Sequence, residues 1–205
     1  MQKAGALIFL LLVGLPILLA AQGEKDDPSD GSEWDYYYDE NFSRGDQTFI
    51  ITLGTIFPIV FVNNEGIMEN KISPRVGGTG SLAYNYYINT NIFLGGEVSG
   101  MFFSTLGDNN LFIIPLGVRA GYQFNMWRLE FPLSIAIGMV WHRYNNEGYY
   151  GLYMKGGGSA FFRATSRWSF GLNTNWYWFP QWTGDSSKNA HGNMLDLTLS
   201  ARYHF

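Results

Sequence analysis

From Gln47 to Phe205 apolar and polar residues alternate in eight segments separated by turn-forming residues, and a period of two marks strands whose two faces meet different surroundings. Phe49, Ile51, Leu53 and Phe57 alternate with Thr48, Ile50, Thr52 and Gly54 in the first; Val76, Leu82, Tyr84 and Tyr86 oppose Arg75, Gly77, Thr79, Ser81 and Asn85 in the second. In the third, Ile92, Leu94, Val98 and Phe102 oppose Gly95, Glu97 and Ser99; in the fourth, Leu116, Val118, Ala120, Tyr122 and Phe124 oppose Gly117, Arg119, Gly121 and Gln123. The fifth sets Leu129, Phe131, Leu133, Ile135, Ile137, Met139 and Trp141 against Arg128, Glu130, Ser134 and Gly138. Leu152, Met154, Ala160 and Phe162 oppose Lys155, Gly157, Ser159 and Arg163 in the sixth, and Trp168, Phe170, Leu172, Trp176 and Trp178 oppose Ser169, Gly171, Asn173 and Asn175 in the seventh. The eighth places Leu195, Leu197, Leu199, Ala201, Tyr203 and Phe205 against Asp196, Thr198, Ser200, Arg202 and His204.

Alternation also suits a soluble sandwich, so segment length and aromatic placement decide what the apolar face meets. Segments of about ten residues match the 9 to 11 that cross a bilayer at a tilt, whereas soluble strands average about 5 to 6. Apolar-face aromatics gather at the segment ends: Phe57, Phe102, Trp141, Trp176 and Trp178 at one end, Phe124, Trp168 and Tyr203 at the other. That distribution predicts two interfacial girdles around an aliphatic band. The opposite face, rich in Gly, Ser, Thr, Asn and charge, predicts a narrow polar interior. Unpaired backbone groups are too costly in hydrocarbon to leave an open sheet edge, so the sheet must close. Short turns are expected near 88–89, 125–126 and 164–166, and outer loops near 63–73, 104–110, 143–148 and 180–193. Pro58, Pro115 and Pro132 fall within strands and predict bulges or local irregularity.

Two zones precede this region. Lys3 followed by an apolar run from Ala4 to Ala21 with small residues at its end predicts an export signal over 1–23. Residues 24–46 hold nine acids against Lys25 and Arg44, a net of −7, and read as a flexible acidic periplasmic segment. The expected architecture is all-β: an eight-stranded antiparallel up-and-down transmembrane β-barrel over 47–205, located in the bacterial outer membrane. The absence of Cys excludes disulfides, thiolate metal sites and Cys nucleophiles. No basic run suits a nucleic acid, and neither a metal-ligand spacing nor a cofactor loop is present. Gly77, Gly78 and 156–158 sit in strand patterns and are expected to relieve curvature or crowding.

The ending Leu199, Ala201, Tyr203, Phe205 resembles the C-terminal assembly signal of bacterial outer-membrane barrels, which implies the barrel-assembly machinery as a biogenesis partner. With the export signal and eight segments, the whole chain is similar to the small OmpA, OmpX and OmpW type of barrel. The OmpW-like group implies a hydrophobic channel; Glu97, Arg119 and Lys155 on the interior face depart from it.

The candidate chemistry lies inside. Arg75, Arg119, Arg128, Lys155, Arg163 and Arg202 face Glu97, Glu130 and Asp196, six cations against three acids. One reading is a side-chain plug of ion pairs filling an eight-stranded lumen; the other is a thin, anion-preferring path for small solutes. Arg128, Arg163, Arg202 and His204 gather at the mouth where the acidic segment enters, which places that segment either docked there or solvated. The main expectation is a structural or surface-interaction barrel, not an enzyme, with outer-membrane lipid around it and an extracellular ligand or host surface as the partner for its loops. The alternative is a lipid A deacylase or acyltransferase, for which His142, Glu147, His191, Ser186 and Ser104 are the only rim candidates.

Overall fold

A computed structural model describes residues 42–63, 66–67, 76–104, 110–144, 147–181 and 190–205. The expected export signal, residues 24–41 of the acidic segment, Arg75 and Ser186 lie outside them. The strands are β1 (Gln47–Asn63), β2 (Gly66–Ile67), β3 (Gly77–Tyr87), β4 (Ile92–Ser104), β5 (Asn110–Met126), β6 (Leu129–Tyr144), β7 (Glu147–Arg163), β8 (Trp168–Gln181) and β9 (Ala190–His204). Every neighbouring pair is antiparallel, β9 pairs back onto β1, and β2 only extends the tip of β1 through Val62↔Ile67 and Asn63↔Gly66. The long strands therefore form a closed eight-stranded barrel.

Its stagger can be read from the register. A walk from Gln47 through Tyr86, Leu94, Ala120, Ile135, Gly156, Trp176 and Leu195 returns to β1 at Phe57, ten residues beyond its start. A shear of ten on eight strands tilts the strands strongly and leaves an interior that side chains can just fill.

The alternation read from the sequence assigns the faces correctly along each long strand. Outward residues such as Val118 (66% exposed), Ile135 (70%) and Leu199 (61%) would be a liability across a water-facing wall. Outward aromatics pair near the rims: Trp168–Tyr203 and Tyr203–Phe205 at 5.0 Å and Tyr122–Phe124 at 4.7 Å at the end bearing the short turns, Phe102–Phe112 at 4.9 Å toward the loops.

Two prolines interrupt pairing without moving the register. Pro115 pairs with Val140, and the β4–β5 ladder skips from Val98↔Leu116 to Met101↔Ile113. Pro132 pairs with Gln123, and the β6–β7 ladder skips from Glu130↔Phe161 to Leu133↔Gly158. Each proline lacks one donor and so weakens one of its two ladders. Only Pro58 has a register shift beside it, between Pro58 and Val60 against β9, where the extra residue makes a bulge.

Three boundaries differ from the sequence reading. The β5–β6 turn is Trp127–Arg128 rather than 125–126, with φ 55° at Trp127; a positive φ at the first central position alone is the type II′ signature, usually signalled by glycine. Strands β6 and β7 stay paired to Tyr144↔Glu147, and β8 and β9 to Gln181↔Ala190, so the wall extends into the expected loops at 143–148 and 180–193. Paired strands beyond an apolar band need no alternation, and their polar residues resemble loop. Finally, residues 42–46 are built into the barrel end rather than belonging to a flexible segment. Asp46 Oδ2 accepts from the Ser43 N–H at 2.7 Å, Gly45 takes φ 104° and donates to the Tyr87 carbonyl at 2.9 Å, and Tyr87 donates to the Asp46 carbonyl.

Candidate functional site

The lumen is filled in layers. At the turn end, Glu130 on β6 accepts from Arg202 Nη1 on β9 at 2.8 Å and lies 3.2 Å from Arg163 Nε on β7. Arg202 also donates to Gln123 Oε1 at 3.0 Å, which accepts the Tyr87 hydroxyl at 2.6 Å. The guanidinium of Arg202 lies 3.7 Å above the centre of the Phe161 ring. Phe42 closes this end: it is buried, stacks on Tyr87 at 4.0 Å, and carries Arg163 at 5.2 Å over its ring. An aromatic residue thus occupies the mouth at which the acidic segment was expected to be either docked or solvated.

In the middle, Lys155 on β7 donates to Glu97 on β4 at 2.8 Å, Arg119 Nη1 lies 3.8 Å from the same carboxylate, and the Tyr153 hydroxyl approaches its other oxygen at 3.4 Å. Arg119 Nη2 reaches Ser134 at 3.1 Å. Gly117 is required here, since a Cβ would sit 2.6 Å from the Tyr153 hydroxyl and 2.5 Å from the Ile137 carbonyl. Asp196 is held by dipoles: it accepts from the Asn175 backbone and side-chain amides and from the Tyr177 hydroxyl at 3.0 Å. Of the glycines singled out in the sequence, Gly77 relieves crowding against Phe103 and Gly157 against Asn175, whereas a Cβ at Gly78 or Gly156 would meet nothing within 4 Å.

Toward the loop end the interior is apolar, contrary to the polar lumen expected. Ile56, Met101, Phe103, Ile113, Val140, Tyr153, Tyr177, Phe179 and Met194 are buried together as one cluster. Tyr177 and Phe179 stack at 5.9 Å, and His142 meets Phe179 edge-on at 5.7 Å. The alternation rule credits apolar residues to the outer face, and these inward ones were hidden in stretches apolar on both faces.

The structure brings Glu97, Arg119 and Lys155 together, and Glu130, Arg163 and Arg202 together. Asp196 stands apart on its amides and tyrosine. Arg128, expected in the lumen, belongs to the two-residue turn, 5.9 Å over the ring of Trp127. Sequence reasoning missed Tyr87, Gln123, Tyr153 and Tyr177 as partners of the charges; the inward parity of their positions was the available signal.

Of the hydrolase candidates, the two histidines do not converge; Ser186 and the side chains of Ser104 and Glu147 lie outside what the structure describes. His142 lies on the inner face against Phe179, whereas His191 stacks on outward Trp178 at 5.8 Å, so the wall separates the two rings. A different Ser–His contact does occur: Ser169 Oγ is 2.8 Å from His204 Nε2, and Arg163 Nη2 is 3.2 Å from His204 Nδ1. A guanidinium only donates, so Nδ1 accepts, the ring proton sits on Nε2, and Nε2 donates to the serine. That polarity is the reverse of a base that withdraws a hydroxyl proton. Among the described residues no group of three His, Cys, Asp or Glu side chains is placed to hold a metal ion.

Closure, shear, outward aliphatics and rim aromatics define an eight-stranded up-and-down barrel of the transmembrane class. The chain belongs to the uncharacterised protein family whose model matches residues 25–203. Two uncharacterised proteins of Treponema pallidum (strain Nichols) are similar, one 28% identical over 129 residues, 63% of this chain and 59% of its own length. The other is 25% identical over 109 residues, 49% of this chain and 38% of its own. The matched regions thus span about half the length of these curated relatives. Among solved structures, Neisserial surface protein A aligns over 78% of this chain and 97% of its own with 12% identity and a TM-score of 0.54. The outer membrane protein OprG of Pseudomonas aeruginosa aligns over 80% and 98% with 10% identity and a TM-score of 0.51. At such identities the likeness is one of fold.

Proposed function

We propose that this chain is an exported bacterial outer-membrane barrel that conducts no solute and acts through the surface displayed at its loop end. The observation that carries the reading is the nine-residue apolar layer, which fills the lumen on the loop side of both charge clusters. A lumen packed shut by side chains leaves no continuous path for a solute, and a narrow apolar constriction does not wet.

Several observations support the rest of the reading. The family match begins at residue 25, just beyond the expected cleavage region. The exposed aliphatics of β5 and β6 suit lipid contact, and the outward rim aromatics suit interfacial girdles. Leu199, Ala201, Tyr203 and Phe205 alternate on the closing strand as a signal for the assembly machinery would. Short turns at one end and the extended β6–β7 and β8–β9 walls at the other support an orientation with the turns in the periplasm and the walls outside, where an extracellular ligand or host surface would be met.

The test is planar-bilayer recording of the full-length protein refolded in detergent. The expected result is no discrete conductance, and reproducible single-channel steps would overturn the reading. Expression in a host whose lipid A is then analysed separates the enzyme alternative: unchanged lipid A is expected, and a modification abolished by His142→Ala or His191→Ala would replace the scaffold reading.

A further inference from the structure

Between the two charge clusters lies a cavity of about 20 Å3, the size of one or two water molecules. Its walls include Arg119, Arg202, Asn85, Thr52, Ser81 and Ser159. Arg202 is 1% exposed, and its Nη1 is committed to Glu130 and Gln123, yet its Nε and Nη2 N–H groups have no hydrogen-bond partner. Those two donors project in parallel from one edge of the guanidinium plane, the fork with which arginine grips an anion from the side. Arg119 commits its Nη atoms to Ser134 and Glu97, and its Nε is also without a partner. Leaving charged donors unmade in a buried place is costly.

The charge balance points the same way. Among the described lumen groups, Arg119, Lys155, Arg163 and Arg202 face Glu97, Glu130 and Asp196, four cations against three acids. Water filling the cavity would satisfy the donors and leave the surplus charge in place.

We propose that the cavity is a binding site for a small monovalent inorganic anion of halide size, seated on the Nε–Nη2 edge of Arg202 and completed by Arg119 Nε and one hydroxyl of the Thr52–Ser81 pair, whose other proton is held in their mutual 2.6 Å hydrogen bond. Asn85 adds a donor by turning its amide, because its present partner, the Thr48 hydroxyl at 3.2 Å, donates as readily as it accepts. Room for one or two waters favours a halide over a larger oxyanion. Phe42 flanks the site on the turn side and the apolar cluster on the loop side.

The probe is bromide. Full-length protein refolded and crystallised in bromide should give an anomalous peak beside Arg202 Nε, inside the barrel wall. In urea unfolding at constant ionic strength, replacing gluconate by chloride at ten times its dissociation constant should shift the unfolding equilibrium about tenfold. Arg119→Gln should lose that dependence; if it fails to fold, the wild-type bromide map decides alone. Bromide peaks confined to the outer surface, together with identical unfolding in chloride and gluconate, would overturn the proposal and leave water as the occupant.

Discussion

The two halves of the lumen are held by different physics. Toward the turns, Glu130 gathers Arg202 and Arg163 while Gln123 accepts from both Arg202 Nη1 and the Tyr87 hydroxyl, and cooperative polar contacts fix each side chain in direction as well as position. Toward the loops, Phe103, Met101, Ile113 and Phe179 fill space without directional bonds. A charge cluster of this kind costs desolvation and returns specificity, whereas apolar packing stabilises in proportion to fit. The turn end is therefore the half that tolerates change least, and the loop end is the half that can be repacked.

The largest expected break in that contrast is Glu130→Gln, which removes the carboxylate charge that Arg202 and Arg163 share. Losing one partner of a buried pair costs about 3 to 5 kcal/mol, so the barrel should unfold at markedly lower urea and lose heat-modifiable gel migration at lower temperature. Met101→Ala in the apolar layer should cost about 2 to 5 kcal/mol, while Met101→Leu should cost less than about 1.5 kcal/mol; no volume-matched rescue of that kind exists for Glu130. Gly117→Ala joins the halves, because its Cβ would push on the Tyr153 hydroxyl that leans on Glu97. Overpacking there should cost about 1 to 3 kcal/mol, and Tyr153→Phe in the same chain should recover part of it. A Gly117→Ala barrel as stable as wild type would show that β5 and β7 shift freely, and the coupling between halves would be lost.

The same contrast explains what the sequence made legible. The outer face could be read strand by strand because one solvent, hydrocarbon, imposes one rule on every second residue. Inside, Glu97, Lys155, Glu130 and Arg202 stood out because charge at an inward position needs a partner, though which acid met which base depends on the shear. Phe93, Met101, Phe103 and Phe161 were invisible as lumen residues: they lie in strands already rich in apolar outward residues, so the period is blurred. Phe42 was missed for a different reason. It lies at the end of an acidic stretch whose composition reads as disorder, and only the positive φ of Gly45 and the Asp46 carboxylate on the Ser43 amide turn it under the barrel.

The smallest expected effect concerns the β5–β6 turn, where local geometry and membrane contact pull apart. Trp127 is 70% exposed and adopts φ 55°, a conformation that costs an L-residue about 1 to 2 kcal/mol and glycine almost nothing. If the turn were the only consideration, Trp127→Gly would stabilise the barrel by roughly that amount, less the about 0.5 to 1 kcal/mol that glycine's extra freedom costs on folding. Trp127 also belongs to the rim near Phe124 and Tyr122, and an indole there gains from the interface. Unfolding of Trp127→Gly should therefore be compared in short-chain detergent micelles and in lipid bilayers. A small stabilisation in micelles that vanishes or reverses in bilayers is the expected pair of results, because the conformational cost is common to both media and the interfacial gain is not. Equal stabilisation in both would mean that this indole touches no interface and that the strained φ is held by the hairpin alone.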